Sequence, residues 1–319
     1  MAEFISSSSI ADLSYRNYDG PIKGPGGRWQ VIARTMILKA FRLKSLWVFA
    51  ILSGWYYVVM VVILFFLQQT TASNPVGSQA LQSFTDGLVW KDQFLHGFGF
   101  SQHLILVVTL IVGAGTIAND NRANSLLVYL SKPCRKIDYL IGKWLGVFVP
   151  ILIVLALPTL AFYMYGLFSF RDEGFLSSDP WLILQVGCIL PLAAAIHASF
   201  ILMISSLFKQ GTAAGAVYAG LYFMGYFFTL LMQMIWLLTG GKVSPFVVNL
   251  NYCSIDGLQI GLAKAILHSG STRPFGMPAR GGFSPVPAPS LIPYLFVVAA
   301  IVGGSIWFTW TRVRAVEVV

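Results

Sequence analysis

The feature that most constrains this chain is where its charges are missing. Residues 46–67, 144–170, 181–208, 210–241 and 281–311 contain no Asp, Glu, Lys or Arg. A further tract, 100–119, holds only His103 as an ionisable side chain. Crossing about 30 Å of hydrocarbon takes roughly 20 residues of helix, and a backbone in lipid must satisfy its own N–H and C=O groups. The tracts are long enough to do this as helices. They are also too continuous for barrel strands, which alternate over about ten residues. A chain that is 56% hydrophobic and 10% charged, with mean hydropathy +0.73, lies well outside ordinary soluble domains.

The fold class expected is therefore an all-α integral membrane protein. Six spans are placed at 46–67, 100–118, 144–168, 182–207, 214–238 and 291–311, within a transmembrane domain of 46–311. An even number of spans puts both termini on one side. If that side is cytoplasmic, fifteen of the twenty-one Lys and Arg residues fall inside and six outside, which fits the positive-inside rule. The net charge of +9 then lies against anionic lipid, and nucleic acid is not needed as a partner. The first apolar run begins only near residue 46, so no cleavable signal is expected. Cys134, Cys188 and Cys253 lack metal or redox spacing.

Residues 1–27, rich in Ser, Gly, Pro and Asp, read as a flexible cytoplasmic N-terminus. Over 28–45, Trp29, Ile32, Ala33, Met36, Ile37, Ala40, Phe41 and Leu43 recur roughly every three or four positions. Arg28, Arg34, Lys39, Arg42 and Lys44 lie between them. That pattern predicts a basic amphipathic helix on the inner leaflet; a cytoplasmic extension of span 1 is the plainer alternative. The external segment 239–290 opens with "GGKVSPF" and has room for a short amphipathic helix at 254–268, using Ile255, Leu258, Leu262 and Ile266. It closes in "STRPFGMPARGGFSPVPAPSLIP", where six prolines in 23 residues favour extended backbone. Residues 312–319 form a cytoplasmic tail.

Within the spans, Gly211, Gly215 and Ala219 share one helical face, a signature of close helix packing in a bundle or dimer. Pro150, Pro158 and Pro191 are expected to bend their helices. Mid-span polar residues reduce to His197, Gln185 and Ser199. His197 has no acid beside it in sequence, so it fits a helix–helix hydrogen bonder better than a proton relay. A phosphate-binding G-x-x-x-x-G-K-[S/T] loop, a zinc H-E-x-x-H and a nucleophile elbow do not occur in the sequence. No catalytic, metal or cofactor residues are therefore assigned, and energy for uphill transport would come from another chain.

The stretch "GTIANDNRANSLLVYLSKPCRKIDYLIGKW", Gly115 to Trp144, concentrates five Lys and Arg residues between two apolar spans. "NSLLVYLSKP" reads as a short helix stopped before Pro133, with Leu126, Leu127, Tyr129 and Leu130 on its apolar side. An apolar bump ringed by cations suits a groove on a soluble partner; it also suits an interfacial loop on phospholipid. Physics alone leaves both open.

This stretch resembles the segment after span 2 in permease subunits of ABC-2 type ATP-driven transporters. Asp120 answers the family's acidic residue, Leu126 the leucine of a small-Thr-Leu step, and "YLSKP" (Tyr129 to Pro133) the Leu-Leu-Ser-x-Pro core. Arg135 answers the basic residue, and Gly142 with Lys143 the closing Gly-Lys pair. Asn124 and Ser125 depart from the usual Gly-Thr, and Asp120 from the commoner Glu. The resemblance implies a half-channel in the bacterial cytoplasmic (inner) membrane, working in export with a second permease copy or a homologous permease. Each copy would rest on an ABC ATPase subunit that binds ATP and magnesium, with membrane lipids as the other partner. Residues 119–143 would be the coupling segment, with Asp120, Leu126, Leu127, Tyr129, Leu130, Pro133, Arg135 and Lys143 at the ATPase contact. A non-transporting structural or assembly subunit of a larger membrane complex is the rival reading; a secondary carrier lacks an evident ion site.

Overall fold

The computed structural model describes residues 27–72, 88–125, 135–171, 174–269 and 286–313. The described elements are α-helices: α1 (Arg28–Phe41), α2 (Lys44–Ser53), α3 (Trp55–Ala72), α4 (Trp90–Gly113), α5 (Ala118–Arg122) and α6 (Lys136–Ser169). They continue as α7 (Phe175–Ser178), α8 (Leu182–Ser205), α9 (Gly211–Leu238), α10 (Pro245–Leu250), α11 (Ile255–Leu267) and α12 (Leu291–Arg312). Among them, five helices are long and apolar enough to cross a membrane, and six if the bent pair α2–α3 is one span.

That pair bends by 47° at Gly54. A close approach lies at the bend: a Cβ on Gly54 would lie 2.6 Å from Cβ of Pro158, so the backbone here is pressed against α6. Helix α6 runs through both Pro150 and Pro158, and α8 through Pro191. With 34 residues α6 is about 51 Å long at about 1.5 Å per residue, far more than the hydrocarbon needs. Its surplus first turns carry α1. A Cβ on Gly142 would meet Ile32 Cβ at 2.7 Å and the Trp29 carbonyl at 2.9 Å, and one on Gly146 would meet Met36 Cβ at 2.7 Å. Glycines four apart thus let α1 lie against α6 almost backbone to backbone. The helix is interrupted at Arg42–Leu43, so α1 is separate from α2.

Helix α4 begins at Trp90, ten residues before the span expected from hydropathy. Its first turns carry Asp92 and Gln93, both buried; Gln93 accepts a bond from the Tyr56 hydroxyl at 2.7 Å, and Asp92 accepts one from Ser269. Protein, rather than lipid, surrounds this polar start.

The segment after α9 also departs from expectation. Gly240 and Gly241 have φ of 59° and 78°, a left-handed turn suited to glycine. The chain then re-enters the bundle. Ser254 reaches the middle of α9, where Thr229 Oγ1 lies 2.7 Å from Ser254 Oγ and a Cβ on Gly225 would sit 2.8 Å from Ser254 Cβ. From there α11 returns towards the start of α4, ending beside the Ser269–Asp92 contact. Ser254 caps it by accepting from the Gly257 N–H at 2.8 Å. The helix expected over 254–268 exists, but it is buried on nearly all sides, including Asp256 and Lys264, instead of lying amphipathic at a surface.

Candidate functional site

The bundle end formed by the start of α6, the last turns of α4 and α8, and the first turn of α9 gathers Asp120, Arg135 and Lys143 from the Gly115–Trp144 stretch. Helix α4 stops at Gly113, and Ala114–Ile117 make a turn before α5. Ser205, at the end of α8, bridges that interruption. Its hydroxyl accepts from the N–H of Ile117 at 3.1 Å and of Ala118 at 3.0 Å, and donates to the Ala114 carbonyl at 2.8 Å. Orphaned backbone groups at a helix break are thereby satisfied without water. Asn121 reinforces the joint by donating to the Ser206 and Phe208 carbonyls at 3.4 and 3.3 Å.

This scaffold holds Asp120 against α6. Its Oδ2 accepts the Tyr139 hydroxyl at 2.7 Å and lies 2.7 Å from Lys143 Nζ. Lys143, only 7% exposed, also donates to the Thr116 carbonyl at 3.0 Å, and its ammonium lies 5.4 Å from the Tyr139 ring centroid. The ion pair is mostly shielded from solvent, and each charge has a further hydrogen-bond partner, the arrangement a buried pair requires. It clamps together the two ends of the 119–143 segment.

Asp120 and Arg135, both expected at the partner contact, are held differently: Asp120 is bound by Tyr139 and Lys143. Arg135 sits in extended backbone just before α6, where its N–H donates to Asp138 Oδ2 at 3.2 Å. Tyr139 was missed. The signal available was its spacing: four residues before Lys143, it lies on the same face of α6. Leu126, Leu127, Tyr129, Leu130 and Pro133 lie outside the described residues, as does Cys134.

Gly211 and Gly215 pack within the chain. A Cβ on Gly211 would come 2.8 Å from Gly115 Cα, and one on Gly215 would come 3.3 Å from Ala114 Cβ. Ala219, one turn on, is half-buried. Along α1 and its end, Arg34, Lys39, Arg42 and Lys44 are exposed and Arg28 is half-buried. Lys136 places its ammonium 4.8 Å from the Trp310 ring centroid, which sets the last turn of α12 at the same end of the bundle.

A second polar cluster lies deep in the helices. The wholly buried His197 on α8 pairs Nδ1 with the Tyr218 hydroxyl at 2.7 Å. Its Nε2 lies 3.2 Å from Gln102 Oε1 and 2.9 Å from Gln259 Nε2. One imidazole therefore joins α8 to α4, α9 and α11. Nearby along the same α9–α11 seam, Tyr222 donates to Asp256 at 3.4 Å. The described partners of His197 are a hydroxyl and two amides, with Asp256 bonded to Tyr222 instead.

No curated protein matches the chain. A family model described as ABC-2 family transporter protein matches residues 30–267, from α1 through the end of α11 and across the whole Asp120–Lys143 corner. The match spans most of the sequence, and the long apolar helices agree with it. The chain belongs to the ABC-2 transporter family, as a membrane-embedded, non-catalytic permease.

Proposed function

We propose that this permease is the membrane half of an exporter driven by a separate ATPase subunit. In this reading α2–α3 is one broken span, so six passes leave both termini in the cytoplasm of a bacterial inner membrane. The ATPase carries ATP and magnesium. Residues 119–143 receive its motion, with Leu126, Leu127, Tyr129, Leu130 and Pro133 at the contact and Arg135 beside them. A second permease copy or a homologous permease completes the path; the outward apolar faces of α9 and α12, with Phe227, Leu231, Phe296 and Trp307 exposed, are available to it and to lipid.

The observation that carries this reading is the Asp120–Tyr139–Lys143 clamp. A loop that transmits force needs a stiff base, and this one joins α5 directly to the longest helix of the bundle. Motion of the segment then moves α6 and, through Gly142 and Gly146, α1 as well. Two bundle states with different affinity for nucleotide-bound ATPase are all the coupling requires. Exposed Arg34, Lys39, Arg42 and Lys44 would hold α1 at anionic lipid of the inner leaflet.

The test is purification of the tagged chain in mild detergent, with partner identification by mass spectrometry and an ATPase assay. Recovery of an ATP-hydrolysing subunit in comparable amount supports the exporter. Recovery of a stable complex without one favours an assembly subunit.

A further inference from the structure

Beside the clamp, α1, the end of α4 and the start of α6 enclose a cleft of about 230 Å³. Its walls are unlike. Leu43, Ile111 and Val112 form an apolar side, while Lys39, Asp120 and Lys143 supply charge. Lys39 is exposed and makes no ion pair among the described residues. Asp120 uses Oδ2 for both Tyr139 and Lys143, and among the described residues no hydrogen bond reaches Oδ1. Lys143, more than nine-tenths buried, forms part of the wall while already committed to Asp120 and Thr116. Among the described residues the cleft thus offers a cation outside any ion pair, a carboxylate oxygen with acceptor capacity left, and apolar lining.

That pattern matches an amphiphile whose head carries both a phosphate and a protonated primary amine. We propose that the cleft seats the headgroup of a phosphoethanolamine-type phospholipid, with its phosphate at Lys39, its ammonium donating to Asp120 Oδ1, and the start of its acyl chain along Leu43, Ile111 and Val112. A primary ammonium donates hydrogen bonds to a carboxylate; the quaternary ammonium of a choline lipid has no N–H, and a glycerol headgroup brings no cation. Charge-assisted donation is the stronger class of hydrogen bond, so the amine decides selectivity. The bound lipid bridges α1 to the base of the coupling segment. Only the sidedness of the cleft rests on the exporter reading; lipid retention is measured without an ATPase, so either idea fails without the other.

The experiment is native mass spectrometry of the full chain, reconstituted with equal amounts of ethanolamine, glycerol and choline phospholipids of one chain length and then released in mild detergent. One retained ethanolamine lipid per chain is expected, favoured about tenfold over the choline lipid, the effect of one charge-assisted contact. Lys39→Gln should lower retention by a similar factor, whereas Lys39→Arg keeps it and shows that the exposed position tolerates change. Equal retention of the three lipids, or indifference to Lys39→Gln, overturns the site and leaves ordinary boundary lipid. Displacement by millimolar inorganic phosphate also overturns it, because the cleft would then recognise a free anion.

Discussion

Lys143 Nζ and Asp120 Oδ2 lie 2.7 Å apart, and this contact closes the base of the segment between α5 and α6. Removing one partner leaves the other charge poorly solvated. Lys143→Met should therefore destabilise the detergent-solubilised chain by about 2–3 kcal/mol, below the roughly 3–5 kcal/mol of a fully buried pair because the Asp120 side chain keeps 17% exposure. Asp120→Asn should cost at least as much, since it leaves the more deeply buried Lys143 ammonium without its counter-charge. In the double variant the losses should fall short of their sum by about 1–2 kcal/mol. Thermal melts of all four proteins measure this, and strict additivity would show that the two residues are not coupled.

The seat of α1 gives a second outcome. Gly142→Ala puts a methyl where Ile32 Cβ and the Trp29 carbonyl stand within 3 Å, and backbone cannot move aside as a flexible side chain does. Overpacking of this kind costs about 1–3 kcal/mol. Lifting α1 also frees Arg34 and Lys39 for trypsin, so cleavage there should quicken. Gly187, whose added Cβ would meet nothing within 4 Å, is the control. Gly187→Ala should leave stability unchanged or raise it by up to about 1 kcal/mol. A Gly142→Ala protein that melts and is cleaved like wild type would mean that α1 does not depend on this contact.

His197 supports a third. Replacing it with Leu removes the shared partner of buried Tyr218, Gln102 and Gln259, and each group left unsatisfied costs about 1–3 kcal/mol. Tyr218→Phe removes one hydroxyl and leaves the glutamines paired, so its cost should be about 1 kcal/mol. The melting temperature should therefore fall much further for His197→Leu than for Tyr218→Phe. Equal shifts would assign the cluster no more weight than its single Tyr218 bond.

These contacts mark where sequence was informative. Charge-free tracts located the long helices because lipid tolerates few charges, and small residues at Gly211 and Gly215 marked a close approach that the bundle makes. Hydropathy failed where protein replaces lipid as the solvent. Asp92 and Gln93 hid the first turns of α4, although both are buried among partners. Asp256 and Lys264 gave α11 the look of a helix with a solvated face, yet both are buried against α8 and α9 or their neighbours. The His197 cluster was invisible because its Gln259 sits 62 positions away, a pairing that no local pattern reveals. Tyr139 differs: helical spacing to Lys143 was present, but a tyrosine near a membrane surface has too many ordinary uses to stand out.

Leu127 and Leu130 carry the fourth expectation, which tests the coupling itself. In the proposed contact their side chains enter a groove on the ATPase, so alanine at both positions removes most of the apolar anchor, about 1.5–3 kcal/mol for each leucine fully buried there. The clamp residues remain, so insertion and melting temperature should stay near wild type. ATP hydrolysis by the assembled complex should persist while transport into inverted vesicles collapses, because the motor turns without its linkage. Loss of ATPase co-purification would indicate that the same leucines also hold the complex together, which still places them at the contact. Transport at the wild-type rate would remove Leu127 and Leu130 from the coupling surface, and with them the main reason for assigning that role to residues 119–143.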